Sequence, residues 1–282
     1  GNSSSTIPAI DSGFPVDFAL LKGPTTAGYD WYTGSRLIGT KYLWTNSSTA
    51  EASSNNLVWD SNTGYYKNIP SSGQGWMWKR HAGMDVVIFD GTGANLAVPH
   101  SLNAVPEFMW IKAKSYGGEW KVYHKDRGPT KILRLHLANA EETGQTQLQS
   151  TNPTTTHFFT SGSLSLSSQS YIAMLFASVD GISSVGQFTG DSSGDVSVTT
   201  GFQPRFILIK NAEATEGWIL HDSLRGMSNN NDQRLFLNTN AAQTNAGGYE
   251  YISVSSTGFT VTNNGGSVLN GNNQAMIYYA HA

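Results

Sequence analysis

This chain repeats itself, and that restricts its fold more than any other feature. Phe18-Ala19-Leu20-Leu21-Lys22 has counterparts in Phe108-Met109-Trp110-Ile111-Lys112 and Phe206-Ile207-Leu208-Ile209-Lys210, preceded by Pro15, Pro106 and Pro204. Each lysine is followed by a tryptophan (Trp31, Trp120, Trp218) and then by a glycine (Gly39, Gly128, Gly226) with an arginine shortly before it (Arg36, Arg127, Arg225). Leu43, Leu133 and Leu235 open a further short run, and Ala50-Glu51, Ala140-Glu141 and Ala242-Gln243 follow at equal spacing. Each copy closes on an aromatic-rich run: Trp76-Met77-Trp78-Lys79, Tyr171 to Phe176, and Ala275 to Tyr279. Copies two and three share an opening run, Val87-Ile88-Phe89-Asp90-Gly91 and Val185 to Gly190. The first copy lacks it, or has Thr6-Ile7-Pro8-Ala9-Ile10 in its place. Ordered recurrence at a fixed period means similar units in series. The expected modules are 1–83, 84–180 and 181–282, the first truncated at its front. The truncation points to a fragment of a longer protein, with further copies or an attachment domain upstream.

The local pattern is that of β structure throughout. Short runs rich in Val, Ile, Phe, Tyr and Trp are separated by Ser, Gly, Asn and Asp clusters at roughly 8–15 residue intervals. No window carries the sustained i, i+3, i+4, i+7 spacing of a long helix. Asn263-Asn264-Gly265-Gly266 is a turn sequence, because Asn and Gly tolerate the positive φ that tight turns need. The expected class is all-β: tandem small antiparallel β-sandwich modules with some six to eight strands each. The run before each repeated lysine is expected to be an inward-facing central strand. The repeated tryptophan begins the next strand and packs across the core, and the repeated glycine takes a positive φ.

Composition excludes several functions. Charged residues are 13% of the 282 and the net charge is −3, about half the usual charged share of roughly 25%. With no Lys/Arg runs, this argues against nucleic acid as a partner. No apolar run approaches the roughly 18 residues of a membrane span, so no membrane insertion is expected, and no signal peptide is visible. Cysteine is absent, which removes disulfides, thiol catalysis and Cys-based metal sites.

Three segments carry a family resemblance: Gly75-Trp76-Met77-Trp78-Lys79-Arg80, His100-Ser101-Leu102-Asn103-Ala104-Val105-Pro106-Glu107-Phe108, and Trp120-Lys121-Val122-Tyr123-His124-Lys125. The third copy adds Gly217-Trp218 and Arg225-Gly226. Together they resemble a repeat of structural proteins of tailed bacteriophages, marine phages especially, over nearly the whole chain. The resemblance implies that the sandwiches are lectin-like or jelly-roll-like and that the chain is a virion component at the particle surface: a tail fibre, capsid fibre or decoration protein. It implies other virion proteins and host-surface carbohydrate as partners, a possible homo-oligomer, and no catalytic residue or cofactor. Arg36 stands two residues earlier than its counterparts and Gln243 replaces the glutamate, which weakens any binding site shared by the three copies.

The residues themselves offer little catalytic chemistry. Seven histidines are scattered without H-E-x-x-H or H-x-H spacing, so no metal site has a local signature. His221-Asp222-Ser223 places three triad residue types side by side. Strand neighbours point to opposite faces, so a polar strand end is the better reading. Asp85, Asp90, Glu119, Glu141, Glu142, Asp180 and Glu216 are the carboxylates from which a glycoside-cleaving pair would come. Asp191 and Asp195 flank a Ser/Gly turn that could take Ca²⁺, although Asp bonding its own backbone accounts for such a turn. The repeated tryptophans are assigned to the core. Non-repeating aromatics are the ligand candidates: Trp44, which alternates with Tyr42, then Trp59, Tyr65 and Tyr66 beside Asn/Gly turns, and Tyr249 and Tyr251 after Gly247-Gly248. Exposed rings stack on sugar C–H faces and are equally suited to subunit contacts. The expectation is a non-enzymatic fibre module touching host glycans; a ligand-free capsid or tail decoration or spacer protein is the alternative, and a depolymerase comes third.

Overall fold

The computed structural model describes residues 10–282 except 56, 60, 68–72, 82, 228, 229, 231 and 246, and leaves out the side chains of Tyr66 and Lys67. Its strands form six sheets, which fall in chain order into three successive pairs of one large and one small sheet.

The first unit holds β1 (Ile10–Asp11), β2 (Phe18–Lys22), β3 (Tyr32–Ser35), β4 (Lys41–Trp44), β5 (Ala52–Ser53), β6 (Leu57–Val58), β7 (Gly64–Lys67) and β8 (Gln74–Trp78). They form a large sheet, β5-β4-β3-β2-β8, and a small one, β1-β7-β6. The second unit holds β9 (Met84–Asp90), β10 (Leu96–Pro99), β11 (Phe108–Ala113), β12 (Lys121–His124), β13 (Leu133–Arg134), β14 (His157–Thr160) and β15 (Ser170–Phe176). Its sheets are β13-β12-β11-β15-β9 and β10-β14. The third unit holds β16 (Ser183–Thr189), β17 (Val196–Thr199), β18 (Phe206–Asn211), β19 (Trp218–Asp222), β20 (Gln233–Phe236), β21 (Thr244–Asn245), β22 (Ile252–Ser255), β23 (Gly258–Val261) and β24 (Ala275–His281). Its sheets are β16-β24-β18-β19-β20-β21 and β17-β23-β22. Among the described residues, the only α-helix is the single turn Gly266–Asn270.

Side chains alternate across a strand, so each large sheet has two apolar faces. The outer faces pack under the small sheets into three separate cores. One contains Leu21, Trp59 and Tyr65, the next Ile111, Phe158 and Tyr171, and the third Ile209, Phe259 and Tyr278. The inner faces pack against one another. Phe18 and Leu20, Phe108 and Trp110, and Phe206 and Leu208 belong to one continuous core. The modules are therefore not beads: three sandwiches share a central core.

The shared core is closed by a ring of equivalent contacts. Trp120 Nε1 donates to the Trp44 carbonyl at 2.8 Å, Trp218 Nε1 to the Arg134 carbonyl at 3.0 Å, and Trp31 Nε1 to the Phe236 carbonyl at 2.9 Å. Each indole thus satisfies its one donor on the neighbouring unit. The Glu51 N–H donates to the Lys114 carbonyl, that of Glu141 to Ala212, and that of Gln243 to Pro24. The backbone bond is common to all three positions, while the side chains differ: Glu51 pairs with Lys41 and Lys114, and Glu141 with Arg127 and Lys131. The repeated glycines sit at φ 60°, 79° and 110° (Gly39, Gly128, Gly226), where a side chain would strain the turn.

The repeated lysines end the inward rows. Lys22, Lys112 and Lys210 are fully buried. The Lys22 ammonium donates to the Tyr29 carbonyl, that of Lys112 to Ala113, and that of Lys210 to Ala138, Asn211 and Ala214. Burial lowers each to about 8.

The closing strands β8, β15 and β24 differ in one respect. β15 is flanked by β9 and β24 by β16, whereas β8 ends its sheet, with no described strand on its far side. Ile10, in the segment considered for the opening strand, instead pairs in β1 with Tyr65 of β7. It thus matches Val98 on β10 and Val198 on β17. Thr6 to Ala9 lie outside the described residues.

Candidate functional site: an aromatic face on the first unit

β3 and β4 pair so that Tyr32 lies opposite Trp44. The neighbouring inward residues, Thr33 and Leu43, are buried, so period-two alternation turns Tyr32, Tyr42 and Trp44 outward. Tyr29 joins them from the turn before β3. Ring centroids lie 5.5 Å apart for Tyr29 and Tyr32, 5.1 Å for Tyr32 and Tyr42, and 5.0 Å for Tyr42 and Trp44. All four are half-buried. Interplanar angles of 54°, 55° and 76° make a faceted surface with several ring faces instead of one flat platform.

Polar groups border it. Asn46 Nδ2 donates to Asp30 Oδ1 at 2.8 Å, while Asn46 Oδ1 accepts from the Trp31 N–H. The amide thus ties the aromatic edge to the core tryptophan. Burial, with Tyr32 and Tyr42 nearby, pushes the Tyr29 phenol up to about 12. Burial, followed by Tyr42 and Asp30, also raises Tyr32. The Tyr29 and Tyr32 phenols therefore stay neutral hydroxyls at physiological pH. A surface of neutral aromatic rings rimmed by a carboxylate and an amide suits stacking on apolar faces and bonding to hydroxyls.

The sequence candidates separate in space. Trp44 lies in this face. Trp59 and Tyr65 do not: they stack on each other at 5.0 Å and 14°, and both are buried in the first outer core. Trp59 Nε1 donates to the Gly39 carbonyl. Their rings are used in packing because the small three-stranded sheet needs large side chains beneath it. The Tyr66 side chain lies outside the described residues. Tyr249 is 59% exposed. Tyr251 lies under the Arg234 guanidinium, 4.8 Å from its ring centroid. Both belong to the third unit. Tyr29 and Tyr32 escaped sequence reading because they flank the repeated Trp31. The alternation of Tyr42 and Trp44 was the signal that pointed toward them.

Other candidates have structural partners. Asp222 binds Arg225 Nε at 2.5 Å, while His221 is buried on the opposite strand face. Asp85 binds Arg80 and accepts from the Ser101 N–H. Burial opposes ionisation of Glu119 and Glu141. Lys121 with Arg134, and Arg127 with Lys131, outweigh it and hold both carboxyls below their ordinary value. Asp191 Oδ1 accepts from the Ser193 N–H and hydroxyl, an ordinary Asp turn. Among the described residues, no three His, Asp or Glu side chains cluster to hold a metal ion.

The class these features define is an all-β protein of three sandwich units around a shared core, with one aromatic outer face. Residues 76–282 match the model of a family described as a domain of unknown function, DUF7483, and the chain belongs to that family. The match spans units two and three with most of β8; the aromatic face at Tyr29 to Trp44 lies outside it. No curated protein and no solved structure matches the chain.

Proposed function

We propose that this chain is a non-catalytic structural module of a bacteriophage virion that contacts host-surface carbohydrate through the aromatic face of its first unit. The observation that carries the carbohydrate contact is the cluster Tyr29, Tyr32, Tyr42 and Trp44, half-exposed and bordered by Asp30 and Asn46. Such rings offer C–H stacking surfaces, and the polar rim orients hydroxyls. The virion assignment is supported by the repeat's resemblance to phage structural proteins. A rigid three-unit body with few charges suits a long-lived particle surface. The sheet edge left open at β8 favours a second reading, a spacer or decoration element that touches only other virion proteins.

The test is binding of the purified, labelled chain to candidate host cells and their extracted polysaccharides, with polymer length followed in the same tubes. Saturable binding with intact polymer, lost in Tyr42→Ala and Trp44→Ala, is the expected result. No binding at high concentration moves the reading to the spacer. Shortened polymer overturns the non-catalytic assignment.

A further inference from the structure

The three closing strands are equivalent by register. Trp78 lies opposite Phe18 as Phe176 lies opposite Phe108 and His281 opposite Phe206. In the second unit, Leu175 and Ala173 face Asp85 and Val87 of β9. In the third, Ala280 and Tyr278 face Ser184 and Gly186 of β16. The matching positions on β8 are Met77 and Gly75. Their N–H and C=O groups point to the edge where no described strand pairs. An unpaired edge of this kind is a template for another strand.

The space beside that edge is shaped. Three adjoining hollows of about 400, 90 and 320 Å³ run between β8 and the third unit. Their walls include Phe14, Met77, Trp78, Ile182, His281 and Leu224. Leu224 is 78% exposed, more than any other large apolar residue among those described. In the other units the corresponding strands put apolar side chains into the shared core, Met84 and Val86 from β9 and Val185 from β16. Among the described residues, no segment occupies this place.

We infer that the β8 edge binds an extended segment of a partner polypeptide as an added antiparallel strand. The segment has the chemistry of β9: seven residues with apolar side chains at alternate positions. It donates to and accepts from the backbone of Gly75 and Met77 and lays its apolar side chains into the groove. This is β-strand addition, in which the main chain supplies affinity and the groove supplies selectivity.

The experiment uses the full chain and a synthetic peptide of the β9 sequence, Met84 to Asp90, flanked by lysines for solubility. Amide hydrogen exchange is followed residue by residue. In the free protein, Gly75 and Met77 are expected to exchange fast while Leu175, Ala173, Ala280 and Tyr278 stay protected. Peptide is expected to bind one to one and to slow Gly75 and Met77 by roughly tenfold or more. A peptide N-methylated at the residues corresponding to Asp85 and Val87 keeps its apolar side chains and loses those donors, so it is expected not to bind. Four results overturn the proposal. They are protection of Gly75 and Met77 in the free monomer, protection that rises with protein concentration as a dimer forms, no binding, or equal binding of the N-methylated peptide.

Discussion

On the inner faces, the three large sheets carry nearly the same chemistry at matching positions: Phe18, Phe108 and Phe206, then Leu20, Trp110 and Leu208, then a buried lysine. On the outer faces the matching positions diverge. The cross-strand pair is Tyr32 and Trp44 in the first unit, Lys121 and Arg134 in the second, and Ile219 and Phe236 in the third. The second unit's pair is bridged by Glu119, which binds both cations, and Arg134 also binds Glu142. The difference is one of constraint. An inner residue must fit two other sheets at once, so a change there must suit all three. An outer residue meets only its own small sheet or solvent, so each unit is free to build a different surface.

The largest effects are expected inside. Trp31→Ala, Trp120→Ala and Trp218→Ala should each cost about 3–5 kcal/mol, the usual range for a buried Trp truncated to Ala. Urea unfolding checks this, and a cost below about 1 kcal/mol at any one would break the equivalence of the inner faces. The buried histidines come next. Burial lowers His124 and His221 from 6.5 to about 3. Between those values the unfolded chain binds more protons than the folded one, so stability is present above pH 6.5 and is lost as pH falls toward 3. Each contributes about 1.4 kcal/mol per pH unit, and His221→Leu should flatten the acid limb of the urea midpoint.

The buried lysines act in a different window. Their folded value of about 8 lies below the ordinary 10.5, so the unfolded chain again holds more protons between the two. Stability should rise from pH about 8 to about 10, and a falling urea midpoint over that span contradicts their burial. The smallest effects belong outside. Tyr42→Ala and Trp44→Ala should cost about 1 kcal/mol or less, being half-exposed, while abolishing carbohydrate binding. Arg134→Met, which breaks two partly exposed ion pairs, should stay within about 1 kcal/mol.

Repetition made the inner face legible in the sequence. Three copies of Phe-x-x-x-Lys, Trp and Gly identified the interior strands β2, β11 and β18, the core tryptophans and the positive-φ turns, because each has one physical explanation repeated three times. The sharing of the core was harder to see. A repeat reads the same whether its units stand apart or close on one another. The clue lay in Ala-Glu/Gln, whose backbone N–H bonds the next unit, a partner that the recurring letters do not disclose by themselves. The outer site was half legible. Trp44 was visible as an alternating aromatic, but Trp59 and Tyr65 beside polar turns give the same letters whether stacked inside or presented outside.

The ring of indole-to-carbonyl bonds also dictates an order of assembly. Two of its links join residues 76 and 84 apart in the chain, but the third joins Trp31 to Phe236 across 205 residues. During synthesis the first unit must therefore wait, one side of its core uncovered, until nearly the whole chain has emerged. Contacts of such long sequence separation slow folding and prolong exposure of apolar surface. A ribosome stalled after the second unit should hold a chain whose first and second units are docked and whose Trp31 is still open to solvent quenchers.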